Sequence, residues 1–147
     1  MNGRKEVDIL LVEDDPGDVE LTREGLADSK LLVNLHTVDN GIKALQYLRK
    51  KGPYSDAGRP DLILLDLNMP KKDGRETLKE IKSDEGLRSI PVVVLTTSDA
   101  DMDITRCYEL GANCFITKPV GFEAFIKVVH SLEDFWFTVV KVPPRDR

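Results

Sequence analysis

Cysteine is scarce. Only Cys107 and Cys114 occur in 147 residues, which excludes a disulfide-built scaffold and reads as two reduced thiols. Long apolar runs are missing as well. None approaches the roughly 20 residues that a membrane span needs. The run after Asp8 is only four residues, Ile9 to Val12, so neither a secretory leader nor a membrane anchor is expected. Positive charge is in deficit, with 21 Lys and Arg against 26 Asp and Glu and a net charge of −5. Nucleic acid binding needs a basic face, and no nucleic acid partner is expected. Repeats and low-complexity stretches are absent too. What remains is a globular chain, 41% hydrophobic and 32% charged, expected in the cytoplasm and long enough for one well-cored domain.

Five short apolar runs punctuate it: Ile9 to Val12, Val33 to Val38, Leu62 to Leu65, Val92 to Leu95 and Cys114 to Ile116. The first, third and fourth are continuous, as strands buried on both faces are. The second alternates and reads as an edge strand, with His36 a solvated or packed strand residue rather than a ligand. Helical patterns lie between the runs. Pro16 suits a first helical position with Asp15 as its cap, and Val19, Leu21 and Leu26 follow. Ile42, Leu45 and Leu48 mark a second helix after Asn40-Gly41, and Leu78 and Ile81 a third. Ile104, Cys107, Tyr108 and Leu110 mark a fourth, closed by Gly111, and Phe122 to Leu132 a fifth. Five alternations of strand and helix predict an α/β fold, a doubly wound five-stranded parallel sheet with helices on both faces. Lys50 to Pro60 reads as a surface loop.

In such sheets ligands sit beyond the carboxyl ends of the strands. Glu13-Asp14-Asp15, Asp66, Thr96 and Lys118-Pro119 all fall there. Mg²⁺ prefers oxygen ligands, typically one or two carboxylates plus waters and phosphate oxygens, and the acidic cluster with Asp66 could supply them. Asp66 is the candidate nucleophile, since a carboxylate can attack phosphorus to give an acyl phosphate. Lys118 could pair with Asp66 and then with the phosphoryl oxygens, and Thr96 could donate a hydroxyl hydrogen bond to one of them.

Leu10-Leu11-Val12-Glu13-Asp14-Asp15, Leu64-Leu65-Asp66-Leu67-Asn68-Met69-Pro70 with Asp73-Gly74, Leu95-Thr96-Thr97, and Thr117-Lys118-Pro119 resemble the receiver domain of two-component response regulators. The resemblance implies the flavodoxin-like receiver fold over a core of about residues 7–132, within a single domain spanning 1–147 whose C-terminal apolar extension is 133–147. It implies that Asp66 is the phosphoacceptor and that Lys118 and Thr96 assist it. Asp14 would then touch Mg²⁺ directly, Glu13 would act through a water, and the carbonyl of Asn68 would complete the protein's share of the shell. Thr96 and Phe115 match the family's switch pair, and Lys118-Pro119 matches a cis peptide bond. Asp15 is left as the helix cap. One departure stands out: the residue after the switch threonine is usually very small, and here it is Thr97.

The chain is more closely similar to stand-alone receivers paired with phytochrome-type sensor histidine kinases, through the loop before the third strand, Gly111-Ala112-Asn113-Cys114, and Phe135-Trp136. This implies a light-linked kinase as partner. About fifteen residues follow the fifth helix, too few for an output domain, so an unknown downstream protein is expected to read the phosphorylated surface by contact. Phe135 to Val142 either packs on the chain's own fifth helix or forms a homodimer surface, and the resemblance tips this towards a homodimer. Onward transfer to a second histidine protein in a phosphorelay is an alternative to a contact switch. An aspartyl-phosphate phosphatase is disfavoured because Asn68 stands where such enzymes want an acid. A flavin or nucleotide carrier is disfavoured because Glu13-Asp14-Asp15 stands where a phosphate loop should be.

Overall fold

The structure is a computed structural model that describes residues 6–27, 32–67, 73–96, 109–112 and 114–117. Its sheet is built from β1 (Glu6–Val12), β2 (Leu32–Val38), β3 (Leu62–Asp66), β4 (Val92–Thr96) and β5 (Cys114–Thr117). All pairings are parallel, in the order β2-β1-β3-β4-β5. The chain steps from β1 to β2 on one side and returns past β1 to β3. With right-handed crossovers, that reversal sends the two intervening helices to opposite faces. The crevice at the reversal lies over the carboxyl ends of β1 and β3. The fold expected from the sequence is therefore the fold observed.

The continuous apolar runs fill both faces of the sheet. Leu10, Val12, Ile63, Leu65, Val92 and Val94 form one core with Ala44, Leu45 and Leu48 of α2 (Gly41–Leu48) and Leu78 and Ile81 of α3 (Gly74–Ser83). The intervening residues Ile9, Leu11, Leu62, Leu64, Val93 and Leu95 are buried as well. Strand β2 is one edge, as expected, and β5 is the other. In β2, His36 and Thr37 are exposed while Val38 is buried, so the strand has the wetter face expected of it, but its burial does not follow the strict alternation read from the sequence. The His36 ring lies 5.9 Å from the ring of Tyr47 on α2.

Helix α1 (Pro16–Ala27) starts as expected. Pro16 occupies the first position, and the Asp15 carboxylate accepts a hydrogen bond from the Gly17 amide at 2.8 Å, satisfying one of the amides a helix start leaves open. Asn40 does the same for α2 through the Lys43 amide at 2.8 Å, and Asp73 for α3 through the Arg75 amide at 2.6 Å. The buried hydroxyls of Thr22 and Thr77 bond back to the carbonyls of Asp18 and Asp73. Helix α2 ends in a Schellman turn. The Lys51 amide reaches the Gln46 carbonyl and the Lys50 amide the Tyr47 carbonyl, with Lys50 at φ +57°, where glycine is the usual occupant.

Two details differ from the sequence reading. Strand β1 begins at Glu6 rather than Ile9, because its neighbours hold the polar start. The Asp8 amide donates to the Asp61 carboxylate at 2.9 Å, and Asn34 donates to the Asp8 carboxylate at 2.9 Å. The segment from Lys50 to Pro60 is a surface connection, but a tied one. It contains a 3₁₀ turn at Gly52–Tyr54, and the Tyr54 ring packs 5.4 Å from that of Tyr47. Arg59 then donates to the Gly86 carbonyl at 2.6 Å and to the Ser89 hydroxyl at 2.8 Å. Lys82 bonds the Arg88 and Ile90 carbonyls, and burial holds its ammonium below the usual lysine pKa. The fourth helix is described only from Glu109, closing at Gly111 with φ +106°. The fifth lies outside the described residues. Among those described, no helix is long and apolar enough to cross a membrane.

Candidate metal centre

The two strands flanking the crevice end in acids. Register pairs Val12 with Leu65, so Glu13 and Asp66 come level at adjacent strand ends. Both are about 3% exposed, and Asp14 beside them is open to solvent. Each of Glu13, Asp14 and Asp66 offers a carboxylate oxygen within 4.8 Å of the others. Two buried unit charges at that separation repel by about 3–4 kcal/mol at an effective dielectric of about 20. Three hard oxygen donors, two of them buried, form a set suited to a hard divalent cation, which would offset that repulsion.

The local chain explains how each acid is held. The Glu13 amide donates to the Val38 carbonyl at 3.0 Å, extending the β1–β2 ladder by one bond. Its carboxylate accepts from the Asp15 amide at 3.1 Å, which fixes the turn into α1. Asp15 is occupied at the helix cap, as the sequence reading assigned it. Asp66 sits at the last position of β3, and the ladder continues through the Leu67 amide to the Leu95 carbonyl at 3.0 Å.

A position that the sequence reading quoted without a role supports Asp66 from below. Gly74 opens α3, and its amide donates to the Leu67 carbonyl at 3.2 Å. A Cβ at Gly74 would stand 2.6 Å from the Asp66 carbonyl oxygen and 2.6 Å from the Leu67 Cα. Only glycine lets the helix start press against the strand end that carries Asp66. An Asp-Gly pair opening a helix just after the strand was the available signal.

The remaining predicted residues divide in two. Asp66 pairs in register with Leu95, so Thr96 lies one residue further along the adjacent strand, itself paired with Thr117. Phe115 pairs with Val94 inside β5. Asn68, Thr97, Lys118 and Pro119 lie outside the described residues.

Comparison with known proteins identifies the family. The model of the response regulator receiver domain matches residues 9–130. The chain belongs to the response regulator receiver family. Among its receiver relatives, the response regulator Rcp1 of Synechocystis is 46% identical over 135 residues, which cover 92% of either chain. The crystal structure of the phosphorylated cyanobacterial phytochrome response regulator RcpA is 48% identical with a TM-score of 0.89, over 95% of this chain and 99% of that one. The Mn²⁺-bound form of Rcp1 is 45% identical with a TM-score of 0.87, over 94% and 99%. The receiver expected from four short motifs is thus the family found.

Proposed function

We propose that this receiver is a stand-alone, cytoplasmic response regulator that accepts a phosphoryl group from a sensor histidine kinase onto Asp66, with Mg²⁺. The observation that carries the reading is the set of three carboxylates at the switch point, with Asp66 buried at the end of β3. Similarity to a phosphorylated phytochrome regulator and to a Mn²⁺-bound one supports it, and supports a phytochrome-type kinase as the donor.

Asp14 and Asp66 would hold the metal directly and Glu13 through a water, which fits a Glu13 carboxylate already accepting from the Asp15 amide. The carbonyl of Asn68 would add a further oxygen. Bound Mg²⁺ would supply charge neutralisation for the transferring group. A carboxylate oxygen of Asp66 attacks phosphorus, the bond from phosphorus to the donor's histidine nitrogen breaks, and the nitrogen keeps the electron pair. Lys118 counters charge on the phosphoryl oxygens, and the Thr96 hydroxyl donates to one of them. Movement of Thr96 and Phe115 then changes the surface offered to a downstream protein. The only chemistry is self-catalysed transfer and hydrolysis. The test is intact mass after incubation with acetyl phosphate. A Mg²⁺-dependent phosphoryl adduct on the wild type, lost in Asp66→Asn, is expected. An unmodified wild type would refute the reading.

A further inference from the structure

A cleft of about 430 Å³ opens beside the acidic centre, between the start of α1, the end of β2, the first turn of α2 and the 3₁₀ turn. One water takes up about 30 Å³ in the liquid, so the cleft has room for a long side chain. Glu13 and Asp14 belong both to its lining and to the carboxylate cluster with Asp66. A protein that brings a phosphohistidine to Asp66 must therefore lay the neighbouring part of its surface over this cleft.

The walls say what would fit. Val19, Val38 and the Tyr54 ring supply apolar surface. Of the other charges in the lining, Asp39 is engaged by Lys43 at 3.1 Å. Glu20 also lines the cleft; among the described residues its partner is Arg23 at 3.5 Å, a solvent-exposed contact of a kind that contributes little. An apolar trough with an aromatic wall and a carboxylate in its lining suits a side chain with an apolar stem and a cationic head. Tyr54 is set in advance. Its ring is packed on Tyr47, and the segment that carries it is latched by Arg59 to Gly86 and Ser89, so little ordering is left to do on binding.

We propose that this cleft is a specificity pocket for the phosphodonor protein, receiving an arginine or lysine that the donor presents beside its phosphohistidine, with Tyr54 as its wall and Glu20 as its counter-charge. The proposal rests on the phosphoryl-acceptor reading above.

The test compares two donors, acetyl phosphate and the phosphorylated catalytic core of a cyanobacterial phytochrome histidine kinase, on wild type, Tyr54→Ala, Tyr54→Phe and Glu20→Lys. With the kinase, KM is expected to rise about tenfold in Tyr54→Ala, as for an aromatic anchor at an interface. In Glu20→Lys it rises by a similar factor that shrinks as salt is added. The rate at saturation stays within about twofold, and Tyr54→Phe behaves as wild type, because the ring face is kept. Acetyl phosphate, which has no side chain to seat, loads all four alike. An unmoved kinase KM in both Tyr54→Ala and Glu20→Lys would overturn the proposal. So would an equal slowing with both donors, which would place the damage in the acceptor site. A wild type that loads from neither donor would remove the acceptor reading itself, and this pocket with it.

Discussion

Replacing Gly74 by alanine adds one methyl group where the backbone leaves no room. The new Cβ would meet the Asp66 carbonyl oxygen and the Leu67 Cα, each at 2.6 Å, and the Leu67 carbonyl oxygen at 3.1 Å. All three are backbone atoms of the β3 end, so no side chain can swing aside. Forcing an extra methyl into a packed site costs about 1–3 kcal/mol. Alanine in place of glycine within a helix returns at most about 1 kcal/mol, and less at a first position. The balance is a loss of about 1–2 kcal/mol. Urea unfolding should show it as a lower midpoint with an unchanged slope, because the surface exposed on unfolding is the same. The relief must come from α3 and the strand end moving apart, which displaces Asp66 from Glu13 and Asp14. Mn²⁺ affinity of the folded variant should therefore fall too. A Gly74→Ala protein as stable as wild type, with unchanged Mn²⁺ affinity, would show that the helix start does not brace Asp66.

Two further predictions concern stability. Lys50→Gly should raise stability by about 0.5–1 kcal/mol, since a side chain at φ +57° costs about 1–2 kcal/mol and glycine gives back only part of that in chain entropy; a lower urea midpoint in the variant would contradict it. The Tyr47 hydroxyl has a raised pKa, first through burial and then through the Asp8 carboxylate. Its contribution is complete below the unfolded value near about 10 and is lost as pH climbs from there through the raised folded value. Tyr47→Phe should therefore flatten the alkaline fall in stability; an identical fall in both proteins would show that Tyr47 does not drive it.

The sheet was legible because three of its strands are continuous apolar runs, as strands of a doubly covered parallel sheet are, and helical patterns separate all five. The acids were legible because the first and third runs each end in one. Other features depend on contacts distant in sequence. Nothing near Arg59 shows that it latches onto Gly86 and Ser89, so Lys50 to Pro60 read as plain loop. The polar start of β1 at Glu6 is held by Asp61 and Asn34, and pairing overrode its composition. The closeness of Gly74 to Asp66 depends on how α3 returns across the sheet, which no local spacing encodes. Tyr54 lines the cleft with its ring packed on that of Tyr47, seven residues earlier, a contact that the spacing alone does not announce.

The central claim is that Asp66, among three clustered acids, takes the phosphoryl group. Borohydride reduces an acyl phosphate to an alcohol, so trapping after acetyl phosphate treatment, followed by peptide mapping, reads the modified position directly. The account predicts homoserine at position 66, dependent on Mg²⁺, with Glu13 and Asp14 unchanged. Reduction at Glu13 or Asp14, or none anywhere in the chain, would contradict it.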